Sequence, residues 1–444
     1  MSDRDRSGDE QPDFIEQLNK LLSQLGFNLE GNQMDLAGLM QQMQRMGGAG
    51  PFGFGFSPAD TDPDAAWRTT ITAAIHQLPQ LGGDPRPTPE QARQYADAAR
   101  LASSWLDDHT SFPALGGEAE TWTRERWLTE TAPGWRRLVE PIIDGLAEAL
   151  GNSVDADVPE LAAMQQAMAP MLRTSASAMY RERLKTTLAK LASTVTSASE
   201  LGLPMVERPV VAMLPASVEA FCDNLEQPAD DVALYLTLRE VARQRLFASV
   251  TWLRPQLDAL FEHYAREIRI DMDFITSQFE FGSPEDLSIE KIAEVGKSVT
   301  GSFFEPASTP AQLEILGRLE TLLALVEGWV DEVTAQTCAT WMPNAAALAE
   351  SVRRRRAVGG PSEQVFASLV GLDLRPRRVR DAENLWASLT HAYSAEERDG
   401  VWGHPDLMPT SADLDDPLSF APGRTSAPMD DLDEELAKLL NPDT

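Results

Sequence analysis

Histidine and cysteine are scarce in this chain, and their scarcity removes most metal and disulfide chemistry at the outset. The five histidines are His76, His109, His263, His391 and His404, and no two lie within four residues of each other. No helical His-x-x-x-His pair therefore exists. Cys222 and Cys338 give neither a metal-ligand spacing nor a disulfide framework, so reduced thiols are expected. No apolar run approaches the roughly 18–20 residues of a membrane span. The opening stretch, MSDRDRSGDEQPD, lacks the apolar segment of a signal peptide, and a cytoplasmic protein is expected. Positive charge is also short: the net charge of −31 argues against general binding to nucleic acid or anionic membrane. Arg353 to Arg356, with Arg375, Arg377, Arg378 and Arg380, are the local exception. They read either as a phosphate- or acid-binding face or, more simply, as partners for the surplus carboxylates of the same fold.

What is present is a chain of 444 residues, 43% hydrophobic, long enough to bury a sizeable core. Its patterning is mainly helical, with little β-structure. Residues 1–58 read as a flexible N-terminal arm: Phe14 to Leu25 and the Met-rich run from Leu36 to Met46 trace short amphipathic helices, followed by the Gly/Phe linker GGAGPFGFGFSP. Residues 59–420 read as one large helical domain, and residues 421–444 as an acidic C-terminal tail. Two starts carry a full capping signature, Thr88-Pro89-Glu90-Gln91 and Thr309-Pro310-Ala311-Gln312. Helical runs are expected over 135–150 and 160–201, the latter kinked or divided at Pro170, then over 344–357, 361–370 and 376–394. Trp105, Trp122, Trp127 and Trp135 read as core anchors rather than a ligand-stacking surface. LPMVERPVVAML, residues 203–214, is the best strand-like stretch, limited by its two prolines to a short or edge strand. Residues 278–307 look irregular.

The chemistry-bearing stretch is DVALYLTLREVARQRLFASVTWLRPQLDALFEHYAREI, residues 231–268. Tyr235, Leu238, Ala242 and Leu246 mark one face of a helix. Within it, Arg239-Glu240-Val241-Ala242-Arg243 has the spacing of the zincin motif His-Glu-x-x-His. In that motif two histidines at i and i+4 hold zinc while the glutamate polarises water. Further along, Glu327 interrupts the apolar stripe Leu316, Leu319, Leu323, Val326, Val330, where a carboxylate needs a partner or must be neutral.

Several segments together resemble a bacterial family of zincin-like, zinc-dependent metallopeptidases or hydrolases. They are PFGFGFSPADTDPDAAWRTTI, TLREVARQRLFASVTWLRPQL, LETLLALVEGWVDEV, RRRRAVGGPSEQVFASLVGLDLRPRR and HPDLMPTSADLDDP. The resemblance covers about residues 51–420 and implies a zincin-like helical domain. It implies that Glu240 matches the general base and Glu327 a glutamate third ligand. Arg239 and Arg243 depart from the pattern at both histidines. An arginine cannot be a metal ligand, and His263 with two carboxylates is a poor zinc set. The expectation is thus a pseudo-enzyme with a vestigial Glu240, no metal cofactor and a protein or peptide partner. Arg239 or Arg243 would pair with Glu327 in place of the metal, or point to solvent. The alternative is a zinc-dependent metalloprotease or hydrolase that keeps its activity through a non-standard site.

Overall fold

The computed structural model describes residues 62–152, 159–223, 225–268, 309–361, 364–366 and 376–421. The expected arm at 1–58, the irregular stretch at 278–307, Arg375 and the tail beyond 421 lie outside these residues. So does most of the helix expected at 361–370.

The chain is helical, as its periodicity predicts. Helix α1 covers Pro63–Ile75, α2 Pro89–Leu106, α3 Arg124–Asn152 and α4 Pro159–Thr194. After a loop come α5 (Pro215–Cys222), α6 (Ala229–Ser249) and α7 (Leu253–Arg266). The C-terminal part holds α8 (Pro310–Cys338), α9 (Ala345–Ala357), α10 (Pro376–Ala392), α11 (Ala395–Gly400) and α12 (Ser411–Asp415). Local chemistry fixes the starts. Thr88 Oγ1 accepts from the Gln91 N–H at 3.2 Å while the Gln91 side chain accepts from the Thr88 N–H at 2.8 Å. Thr309 and Gln312 repeat the exchange at 3.1 and 2.9 Å. Each box satisfies two donors that would otherwise be orphaned at a helix end.

Two expectations about helix extent are corrected. The helix expected from Trp135 begins at Arg124 and carries Pro133 and Pro141 in its interior. The helix expected to be kinked or divided at Pro170 is not divided there: it is one element that stops at Thr194, seven residues short of Leu201. A proline removes only one ladder hydrogen bond, and tertiary packing can carry a long helix across that loss. Trp122, Trp127 and Trp135 are buried core residues, and Trp105 packs against them partly covered.

The strand-like stretch shrinks further than expected. Only β2, Ala212–Met213, is extended, paired in parallel with β1, Glu120–Thr121. Pro204 and Pro209 lack ladder donors, which leaves residues 203–210 irregular. On the other side of β2, Ala198 N–H donates to Ala212 O at 2.9 Å and Leu214 N–H to Thr196 O at 2.8 Å. This small three-segment patch pins the 196–202 loop, which closes over the candidate site.

Two helices form the inside of the molecule. Helix α6 is buried from Val232 to Leu246 except at Leu234, and α8 is buried without interruption from Leu319 to Val333. Most helices bury one stripe. These two bury nearly their whole circumference, polar residues included. Helix α10 lies on α8 so closely that Gly328 has no room for a side chain: a Cβ there would stand 2.6 Å from both the Ala382 Cβ and the Glu383 N. A second lock sits at α11, where the fully buried Asp399 accepts from Thr110 Oγ1 at 2.6 Å, Ser111 N–H at 2.8 Å and Trp329 Nε1 at 2.9 Å. Among the described residues no helix is long and apolar enough to cross a membrane.

The packing of α8 gives a paired prediction. Gly317 and Gly328 both lie in α8, but a Cβ at Gly317 meets nothing within 4 Å. Gly317→Ala should stabilise by roughly 0.5–1 kcal/mol through helix propensity. Gly328→Ala gains the same term but forces α10 away, so it should lose a net ~1–2 kcal/mol from overpacking. Urea unfolding of both variants checks the opposite signs.

Candidate functional site

The faces of α6 and α8 that meet at the centre carry charge. On α6, Arg239 and Arg243 are four residues apart and share a face, with Glu240 beside them. On α8, Glu327 and Asp331 are likewise four apart. All five are buried, with Arg239 at 4%, Arg243 at 3% and Glu240 at 0% relative exposure. The solvent-facing option for the two arginines is therefore excluded.

Their pairing is dense. Arg243 grips Glu327 bidentately, Nε to Oε1 at 2.7 Å and Nη2 to Oε2 at 3.2 Å. Its Nη1 reaches Glu240 Oε2 at 3.3 Å. Arg239 donates to Glu327 Oε2 at 3.1 Å and also to Asp331. A third guanidinium, Arg356 at the end of α9, donates to Asp331 Oδ2 at 2.7 Å and to Glu327. Three guanidiniums thus face three carboxylates and the cluster is neutral. Glu240 is further held by Ser197 and Ser199, each donating an Oγ–H at 2.7 Å, and by Gln244 Nε2 at 3.0 Å. Both serines come from the loop pinned by β2. In the same loop Gly202, at φ +72°, lies so close that a Cβ there would be 3.3 Å from Glu327 Oε1. The left-handed backbone and the close approach both favour glycine at that position.

The electrostatics follow from this arrangement. Burial works against ionisation of Glu327, but Arg243, Arg356 and Arg239 outweigh it and hold the carboxyl below its usual range. Burial likewise opposes the charge on Asp331, and Arg239 and Arg356 overcome it and pull the carboxyl well down. Burial would lower Arg239 and Arg356, yet the carboxylates, Asp331 foremost, raise both. Glu383 goes the other way: burial and then the Asp331 charge push its carboxyl up, against Arg353.

The structure therefore brings Arg239, Arg243, Glu240 and Glu327 into one cluster and adds Asp331 and Arg356. Asp331 repeats the i,i+4 spacing from Glu327, a signal available in the sequence. Arg356 was masked by its three arginine neighbours, which pair elsewhere: Arg353 and Arg354 with Glu350, and Arg355 with Glu200. His263 is exposed on α7, outside this buried cluster.

Zinc does not fit these residues. Arg239 and Arg243 are permanently protonated guanidiniums, and both oxygens of Glu327 are taken by them. Among the described residues no three His, Cys, Asp or Glu side chains are grouped to hold a metal ion. Glu240 is a poor general base here, because both its oxygens already accept hydrogen bonds. The cavity above the cluster, bordered by Thr196, Leu236, Arg355 and Pro361, encloses about 30 Å³, room for water but not for a peptide.

Two measurements probe the cluster. Arg243→Ala strands buried carboxylate charge and should cost roughly 3–5 kcal/mol; a double-mutant cycle with Glu327 should show strong coupling. Stability should also depend on acid. Glu327 and Asp331 have folded pKa values below the unfolded values of about 4, so their contribution is full above about pH 4 and is lost as pH falls through the folded values. Glu383, raised in the folded state, adds a smaller opposite term, a gain on acidification. Urea unfolding below pH ~4 should therefore show a steep loss, shallower in Asp331→Asn.

Comparison with known proteins agrees with the helical architecture around this cluster. A crystal structure of a protein from Chloroflexus aurantiacus, provisionally assigned as a hydrolase with a novel fold, matches with a TM-score of 0.54. The match covers 79% of this chain and 95% of that one at 17% identity, so it speaks for the fold alone. Among curated proteins none matches. The model of the zincin-like metallopeptidase family matches residues 66–421, which includes α6, α8 and α9 with all six charged residues of the cluster. On that match, the chain belongs to the zincin-like metallopeptidase family.

Proposed function

We propose that this protein is a pseudo-enzyme: a zincin-like scaffold that carries fixed arginine charge where the family motif carries its metal, and that acts by binding a peptide or protein partner. The observation that carries this reading is the bidentate grip of Arg243 on Glu327, with Arg239 on the same carboxylate. A guanidinium supplies positive charge but no open coordination position, so it cannot lower the pKa of a water as a metal does. Glu240, the residue matching the general base, is engaged by two serines, a glutamine and Arg243. Chemistry on a peptide bond needs room and a free base, and the cluster offers neither. Partner binding is the use that such a closed scaffold retains. The amphipathic stretches Phe14 to Leu25 and Leu36 to Met46 supply apolar anchors of the adaptable, Met-rich kind.

Metal analysis of protein purified without added metal tests the reading. The expected result is far less than one zinc per chain, with a thermal unfolding midpoint unchanged by chelator. Near-stoichiometric zinc, lost in Glu327→Gln, would instead support a metallohydrolase with a non-standard site. The reverse experiment is the double replacement Arg239→His and Arg243→His. Two imidazoles on one face of α6 opposite Glu327 should confer zinc affinity, read as a zinc-dependent rise in unfolding midpoint that the parent protein does not show.

A further inference from the structure

The arginines around α9 and α10 do more than neutralise carboxylates. Helix α10 opens with no acidic residue in its first turn and instead carries Arg377 and Arg378, with Arg380 following. This is the reverse of the usual preference, because the N-terminal end of a helix is already positive. Arg378 is satisfied by Asp415, at 2.5 Å, and by Ser411 of α12. The other two are not matched in this way. Arg377 is 89% exposed and only 4.0 Å from Asp381, and Arg380 is exposed with no partner among the described residues.

These two unspent charges face a cavity of about 300 Å³ between α9 and α10. Arg353 and Arg356 line it from α9, and Asp331 and Glu383 form its acidic part. Arg353 stands 3.6 Å from Glu383. Arg356 and Asp331 are matched within the buried cluster and Arg353 is shared between Glu350 and Glu383, so the available positive charge of this concave space comes from the exposed Arg380 and the weakly paired Arg377, in a protein whose overall charge is −31.

We propose that this groove is a binding site for a compact phosphate-bearing small molecule, held by Arg377 and Arg380 with Arg353 behind them. A tetrahedral phosphate offers oxygens in several directions, which suits guanidinium forks converging from two helices. The volume fits a small phosphorylated metabolite. A long polyanion is disfavoured, because the parts of it more than a Debye length of about 10 Å from these arginines gain nothing from them and meet a strongly acidic surface. Arg356 joins the groove to the buried cluster, since it also holds Asp331 and Glu327. Occupancy of the groove therefore bears directly on the network that fills the zincin position. This inference is independent of the partner-binding reading.

Isothermal titration of the full-length protein with inorganic phosphate and with pyrophosphate, at constant ionic strength, tests it. The expected result is saturable one-site binding, tighter for pyrophosphate, weakened roughly tenfold or more in Arg377→Ala/Arg380→Ala. Both residues are exposed and outside the buried cluster, so the variant should keep the parent unfolding midpoint; Arg380→Glu provides a second variant should the double replacement fail to fold. No saturable heat with either anion would overturn the proposal, as would equal affinity in parent and variants. A glutamate-rich peptide that bound more tightly than pyrophosphate would also overturn it, in favour of an acidic protein segment.

Discussion

A carboxylate on the inward face of a buried helix must be met by positive charge, and the centre of this molecule is arranged around that requirement. Desolvating an ion in a protein interior costs several kcal/mol even after relaxation, and the cost is recovered only if geometry and hydrogen bonding are good. Glu327 and Asp331 on α8 and Glu240 on α6 create the demand. Arg239, Arg243 and Arg356 meet it. The rest follows from satisfying the remaining lone pairs: Ser197 and Ser199 must be delivered to Glu240, so their loop is pinned to β2, and its close approach to Glu327 needs Gly202 in a left-handed conformation.

The arrangement is also comparable in charge with a metal site. A zinc ion held by two neutral histidines brings two positive charges to a site containing two carboxylates. Two arginines four residues apart on α6, Arg239 and Arg243, bring the same formal charge. Arg239 and Arg243 against Glu240 and Glu327 thus supply an electrostatic balance that lets α6 and α8 pack. A guanidinium offers no open coordination position of the kind that makes a metal useful to chemistry. Charge balance and metal coordination are different properties of a group, so a packed scaffold does not by itself imply a reaction. This is the physical content of the rule that fold alone does not fix function.

How much of this was legible in the sequence depends on whether the deciding interaction is local. The capping boxes at Thr88 and Thr309 are complete within four residues, and both helix starts stand where the sequence puts them. Glu327 announced itself by breaking an apolar stripe. Arg239 and Arg243 did not, since arginines at i and i+4 look the same on a solvent face as in a core. Only the covering of α6 on all sides decides, and that is a tertiary fact. Asp331 was readable from its spacing to Glu327. Arg356 was not, because Arg353 to Arg355 pair with Glu350 and Glu200 and only the end of α9 directs the last of the four inward. The strand-like residues 203–214 misled for the converse reason: their β-branched side chains favour extension, while Pro204 and Pro209 deny the ladder its donors.

The position of Arg356 ties these observations together. Arg239 and Arg243 sit in the middle of a rigid helix buried on every side, and their pairing can change only if the core opens. Arg356 is in the last turn of α9, with its side chain 14% exposed, between the buried carboxylates and the arginine-lined groove. Its guanidinium is shared between the buried carboxylates and the lining of the groove. An anion in the groove would draw on the same guanidinium that Asp331 and Glu327 share, and the balance of charge at the centre would then depend on what is bound at the edge. A metal site exchanges its ligand water directly with solvent. Here the corresponding centre is buried, and Arg356 links it to the groove.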